Sequence, residues 1–171
     1  MLEINRVGNT IQTSIGLDDT VLDLGCGIMQ ASYDLRCKSI LGVDIHKPYI
    51  QKISELWPTV QLGLDELDRF VDKSYDIVIA LDILEHLDKS MIITILENMK
   101  RICRKKVIIF TPSIFKDNKE AVKDSWGMGK CDFQEHKCLI GKELLSELGY
   151  EEIDRGESRW GIYDKCNNTS L

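Results

Sequence analysis

Val21-Leu22-Asp23-Leu24-Gly25-Cys26-Gly27 is the stretch from which the rest of the chain can be placed. Three apolar residues interrupted by one acid make the pattern of a buried strand, and the strand runs directly into two glycines one residue apart. Such a pair lets the chain turn sharply and leaves bare backbone for a ligand. Asp23 is the unusual member. A carboxylate at the mouth of that turn repels a pyrophosphate and attracts an ammonium or sulfonium.

Upstream of this stretch, Leu2, Ile4, Val7, Ile11 and Ile15 recur at helix-like intervals before Gly16 and predict an N-terminal helix within 1–16. Downstream, a helix is expected over 28–37 and a second buried strand over 40–44. His46-Lys47-Pro48 opens the next helix, which carries Ile50, Ile53, Leu56 and Trp57 on one face until Pro58 stops it. A brief strand at 60–62 leads to a loop and helical turn over 63–67. The apolar run 75–81 reads as a fourth strand. Residues 90–104 place Ile92, Ile95, Leu96, Met99, Ile102 and Cys103 at i, i+3, i+4 spacing, an amphipathic helix whose basic end suits its dipole. A strand at 107–110, a helix at 141–148 and a strand pair at 150–155 and 158–163 complete the pattern.

Strands alternating with helices in this way predict an α/β, Rossmann-like three-layer sandwich. Its mostly parallel seven-stranded sheet carries an antiparallel edge hairpin, all in a single domain over 1–171. Ligands in such sheets lie at the carboxyl ends of the strands. Residues 113–136 break the alternation with charges, glycines and aromatics, including Phe115, Trp126 and Phe133, and are a candidate substrate-covering insertion.

The chain has 171 residues, 43% hydrophobic and 29% charged, which suits a globular protein with one core. Its net charge of -6 argues against nucleic acid or a membrane surface as partner. A local basic group, Lys100, Arg101, Arg104, Lys105 and Lys106, reads as the end of a solvated helix. The six cysteines, Cys26, Cys37, Cys103, Cys131, Cys138 and Cys166, form no Cys-x-x-Cys pair and are read as free thiols. Residues 1–6 show neither a basic nor an apolar leader pattern, so a cytoplasmic location is expected. The Asn-x-Ser/Thr matches at 167–170 read as a polar tail.

A dinucleotide fingerprint requires a third glycine at the start of the helix, whereas Gly27 is followed by Ile28-Met29-Gln30. Asp44, 19 residues beyond Gly25 at the end of the second strand, is placed to accept hydrogen bonds from both hydroxyls of an adenosine ribose, or else to cap the next helix. Asp23, Asp44, Asp65, Asp82 and Glu85 all fall at predicted carboxyl ends of strands. Gathering carboxylates round one cleft costs energy through mutual repulsion unless a cation compensates, and a positively charged nucleoside supplies one.

The run 21–27, Asp44, the 63–67 loop, the 74–78 segment, Leu84-Glu85-His86-Leu87 and Phe110-Thr111-Pro112 together resemble the class I S-adenosylmethionine-dependent methyltransferases. The small-molecule, type 11 and quinone-ring O-methyltransferase-like members are the nearest in pattern. The resemblance spans about 18–155. It implies that Asp23, Gly25, Cys26 and Gly27 hold the methionine portion, Asp44 the ribose and Ile45 one face of adenine. Asp65, or an amide near Glu66, would meet the adenine amino group, and Leu81 and Asp82 would line the sulfonium side. Near Met29 many members have a glycine or small residue, a departure that bears on the methionine pocket.

Asp82-Ile83-Leu84-Glu85-His86 also resembles a Glu-x-x-Glu-His metal-ligand set found in some quinone-ring O-methyltransferases. The alternative, in which Glu85 orients a loop and His86 packs beside the cofactor, is preferred, and no metal is assigned. Cys131, His136 and Cys138 lack zinc-type pair spacing. The expected reaction passes the methyl of S-adenosylmethionine to an oxygen, nitrogen or carbon of a small-molecule acceptor, with His136, His86 or Asp82 as base where one is needed. A silent cofactor-binding or regulatory protein, and a protein or RNA methyltransferase, are the alternatives.

Overall fold

The computed structural model describes residues 11–118, 128 and 131–167. Most of the expected N-terminal helix, as well as Trp126 and the 168–170 tail, lies outside them. Seven strands form one sheet in the order β3-β2-β1-β4-β5-β7-β6. They are β1 (Thr20–Leu24), β2 (Ser39–Asp44), β3 (Thr59–Gln61), β4 (Tyr75–Leu81), β5 (Cys103–Pro112), β6 (Glu151–Asp154) and β7 (Ser158–Asp164). The first five run parallel, and β7 pairs antiparallel with both β5 and β6. The predicted sandwich, with its antiparallel hairpin at one edge, is the fold observed.

Strand alternation divides the core between the two faces of the sheet. Leu22, Leu24, Val78, Ala80, Val107 and Ile109 face the helix α2 (Ile92–Ile102), through its Ile95, Leu96 and Met99, and the helix α3 (Lys142–Glu147), through Leu145. Val21, Ile77, Ile79 and Ile108 face Ile11, Ile15 and the helix α1 (Lys47–Ile53), through Ile50 and Ile53. Both faces of the central strands are covered, which is why β4 reads as an unbroken apolar run.

Two expected elements differ. The helix expected over 28–37 is replaced by a series of turns, with Gly25, Gly27 and Met29 all at positive φ (70°, 54° and 59°). Three left-handed residues within five cannot start a right-handed helix. Met29 is fully buried against the sheet, and Ser32 is drawn back to Asp23, so tertiary contacts override the local apolar spacing. Met29 therefore adopts a left-handed conformation that usually falls to glycine.

The helix expected to run to 104 stops at Ile102, and β5 begins at Cys103, four residues earlier than the apolar run suggests. The basic residues there are strand residues with acidic partners. Arg104 binds Asp76 at 3.0 Å, Lys105 pairs with Asp19, and Lys106 lies 3.5 Å from Asp164. Lys100 and Arg101 do end the helix, as expected, while Arg104, Lys105 and Lys106 tie β5 to its neighbours.

Candidate active site

The carboxyl ends of β1, β2 and β4 open on a cleft of about 240 Å³, lined by Gly25, Asp44, Ile45, Leu64, Asp65 and His86 among others. The glycine turn forms its floor: the amides of Gly25 and Cys26 donate to the Val43 carbonyl at 2.8 and 3.0 Å. Gly25 has no room for a side chain, because a Cβ there would collide with Ile83. Asp44 is buried and accepts from the Gly27 amide at 2.9 Å and the His46 amide at 2.7 Å. A carboxylate has about four lone-pair positions, so two remain for a ligand.

Asp23 lies beneath the turn and is not part of the cleft wall. It is 3% exposed and accepts from the Ser32 hydroxyl. Burial pushes its carboxyl up to about 7, with the Ser32 hydrogen bond opposing and the Asp44 charge adding to the rise. Burial likewise raises Asp44, against the two amides that favour its charged form. Both acids are held in an environment that resists their negative charge, as a site awaiting a cation would be.

Cys26 is buried beside them, its thiol raised by burial and by both carboxylates, so it serves as a small apolar group. Leu81 is buried in the sheet core behind the cleft. Ile45 is 42% exposed on the cleft wall, and Asp65 stands near it. Glu66 turns away toward the Gly63 amide at 3.4 Å and Arg69 at 2.9 Å.

Beyond β4 the chain makes a second turn. Asp82 has a positive φ of 58°, rare for a residue with a side chain, and its amide is held by the Phe110 carbonyl at 2.8 Å. Glu85 is 1% exposed; one oxygen accepts from the fully buried Thr111 hydroxyl at 3.1 Å, and the carboxyl lies in hydrogen-bonding range of the Asp82 carboxylate. Burial and the neighbouring Asp82 carboxylate raise its proton affinity well above the carboxylate range. The Glu85 carbonyl receives the Lys137 and Cys138 amides, at 2.7 and 3.2 Å.

His86 is buried on the cleft, with Nδ1 at 3.2 Å from the Glu135 carbonyl and its ring 4.8 Å from that of His136. Burial, and then His136, lowers its pKa. The second turn therefore brings together Asp82, Glu85, His86 and His136. The sequence alone points to no role for Ser32, Thr111, Ile83 or Lys137, while Phe133, from the candidate covering segment, does wall the cleft. Thr111 belongs to the Phe110-Thr111-Pro112 motif, but nothing in its spacing points to Glu85.

A family model described as "Methyltransferase domain" matches residues 22–111, more than half of the chain. The chain belongs to that family. It is a class I methyltransferase that takes its methyl group from S-adenosylmethionine. Its fold is similar to that of a SAM-dependent methyltransferase from Archaeoglobus fulgidus, with 19% identity over 96% of this chain and 93% of that one and a TM-score of 0.71. A Pyrococcus horikoshii protein is similar at 19% identity over 95% and 89% of the two chains, with a TM-score of 0.68. The magnesium protoporphyrin IX methyltransferase from Synechocystis, solved with bound SAH, matches at 18% identity over 94% and 81%, with a TM-score of 0.65. No curated protein matches the sequence. Among the described residues no helix is long and apolar enough to cross a membrane.

The methyltransferase cleft fits the nucleoside end of the donor. Ile45, Leu62 and Leu64 offer apolar surface for adenine, and Asp44 offers lone pairs for a ribose. At about 240 Å³ the cleft is below the ~300 Å³ at which pockets for whole ligands usually begin. Ile83 occupies the space over Gly25.

Proposed function

We propose that this methyltransferase acts on a small-molecule acceptor, with Asp44 on the ribose, Ile45 on one adenine face and Asp65 at the adenine amino group. Asp23, Gly25, Cys26 and Gly27 form the methionine side, and Leu81 and Asp82 the sulfonium side. The observation that carries this reading is the arrangement of buried acids under and beside one glycine turn, with Asp23 raised to about 7. A sulfonium and an ammonium placed there would stabilise both carboxylates. The same acids disfavour a dinucleotide phosphate.

The methyl of a sulfonium is already activated, so the protein's main contribution is alignment of nucleophile, methyl carbon and sulfur. His86, His136 and Asp82 stand on the side of the cleft from which an acceptor hydroxyl or amine would lose its proton. His86, kept neutral by burial, can accept one. The 131–137 stretch supports a covering role, since Cys131, Phe133 and Gln134 help wall the cleft. The pairing of Arg104, Lys105 and Lys106 with acids leaves that group poorly suited to bind a polyanion, which favours a small acceptor over RNA.

Calorimetry should show binding of S-adenosylmethionine and none of NAD. A panel of small hydroxylic, amine and carbon acids, followed by release of S-adenosylhomocysteine, should identify the acceptor class. Tight NAD binding, or turnover confined to proteins or RNA, overturns the reading.

A further inference from the structure

A neutral histidine carries one ring proton, and the nitrogen that bears it decides which nitrogen can take another. His86 Nδ1 lies 3.2 Å from the Glu135 carbonyl. A carbonyl can only accept, so Nδ1 bears the proton and Nε2 keeps its lone pair. A histidine free in water prefers its proton on Nε2, and a hydrogen bond to the other nitrogen is what reverses the choice. We propose that Asn118, 32 residues away in the chain, is a positioning residue that sets this tautomer.

The Asn118 side-chain amide brackets Glu135. Its Nδ2 donates to the Gln134 carbonyl and its Oδ1 accepts from the His136 amide, both at 2.7 Å. The His136 N–H and the Glu135 C=O belong to one planar trans peptide, in which they point in opposite directions. Holding that N–H on Asn118 therefore aims the C=O at His86. The bond to the Gln134 carbonyl fixes the preceding peptide, so neither plane beside Glu135 is free to turn. The two backbone carbonyls that favour a proton on the His86 ring, those of Glu135 and Gln134, both belong to the stretch that Asn118 holds.

The other side of this stretch is anchored without Asn118. The Lys137 and Cys138 amides donate to the Glu85 carbonyl at 2.7 and 3.2 Å, which ties the segment to the residue next to His86. Docking of the segment and orientation of the Glu135 carbonyl are thus separate tasks, and Asn118 performs the second. His86 is 8% exposed, so bulk water is a poor substitute for a carbonyl that turns away. The consequence for turnover rests on the reading of His86 as the base, whereas the tautomer does not.

The protein has three histidines, His46, His86 and His136, so the ring nitrogens of full-length, histidine-labelled protein can be assigned by NMR with one His→Gln variant for each. At about pH 7.5 a histidine held below its ordinary value near 6.5 is neutral. The parent should then show His86 with a protonated Nδ1 and a bare Nε2. Asn118→Leu fills a similar volume without either hydrogen bond and should move the proton wholly or largely to Nε2. Asn118→Asp keeps an acceptor for the His136 amide and should retain most of the parent tautomer, a rescue that packing alone does not explain. Circular dichroism establishes that both variants fold. With the acceptor identified from the small-molecule panel, turnover of Asn118→Leu should fall at least about 10-fold, part of the ~10²–10⁴ that a positioned base contributes, while affinity for S-adenosylmethionine changes far less. The proposal fails if His86 carries its proton on Nε2 in the parent, or if Asn118→Leu leaves the tautomer as it was. A changed tautomer with unchanged turnover upholds the part assigned to Asn118 and removes His86 as the base, so the two readings fail separately.

Discussion

Acids sit at both ends of the parallel strands, and the two ends treat them in opposite ways. At the amino ends, Asp76 accepts from Arg104, from the Thr20 amide and from the Thr20 hydroxyl, all at 3.0 Å. The Arg104 guanidinium holds its carboxyl well below the usual range. At the carboxyl ends, Asp23, Asp44 and Glu85 are buried with hydrogen-bond donors but without an arginine or lysine on any of them, and all three are raised. The charge at the first end is settled within the chain. At the second it is left for something that binds.

The sharpest way to break this comparison is Asp23→Asn. A raised carboxyl gives its full stability below the unfolded value near pH 4 and loses it as pH rises through about 7. The parent should therefore lose stability between those values, and the variant should not. Above pH 7 the variant should be the more stable, by up to about 4 kcal/mol, the equivalent of that displacement. It should also bind S-adenosylmethionine more weakly. Melting curves from pH 4 to 8 test the first expectation and calorimetry the second. Parallel stability profiles would mean that Asp23 is not strained in the free protein.

Asp44→Asn comes next. The Gly27 and His46 amides donate to different Asp44 oxygens, so Asn keeps an acceptor for only one of them and loses the charge that a ribose would meet; affinity for S-adenosylmethionine should fall roughly 10- to 100-fold. Melting temperature should also fall, because one buried amide loses its acceptor, but by less than the loss of affinity. Equal losses in both would make Asp44 a brace for the turn and not a ligand.

At the opposite end the sign reverses. Asp76 is lowered, so its contribution is present above about pH 4 and disappears as pH falls through its folded value. Arg104→Ala should cost about 1–2 kcal/mol at neutral pH, discounted because Arg104 is 40% exposed, and should flatten the acid limb of the stability curve. Donor affinity should stay as it is. A loss of binding would show that the two ends are coupled through β1 and β4.

Much of this was legible in the sequence. The apolar runs at β1, β2 and β4 are buried on both faces, and such strands need little context to be recognised. Asp44 and the glycine turn were legible because strand, turn and acid follow each other along the chain. What escaped depends on contacts between distant residues. The turns replacing the helix at 28–37 follow from Met29 and Ser32 satisfying the core and Asp23, and the early start of β5 follows from Asp76 and Asp164 waiting for its basic residues. The meeting of Glu85 with Thr111 and of His86 with His136 joins segments 26 and 50 residues apart, a separation no local period can encode.

Asp65 and Glu66 offer the finest comparison, since adjacent acids in the 63–67 loop face different ways. Asp65 lines the cleft, while Glu66 is engaged by the Gly63 amide and by Arg69, whose side chain is 67% exposed. A pair this open to solvent contributes little, so Glu66→Gln should change stability by no more than about 0.5 kcal/mol. Its affinity for S-adenosylmethionine should match the parent's, whereas Asp65→Asn should reduce it several-fold. The opposite ranking in calorimetry would transfer the adenine contact to Glu66 and require the loop to turn over when the donor binds, because Glu66 would first have to release the Gly63 amide.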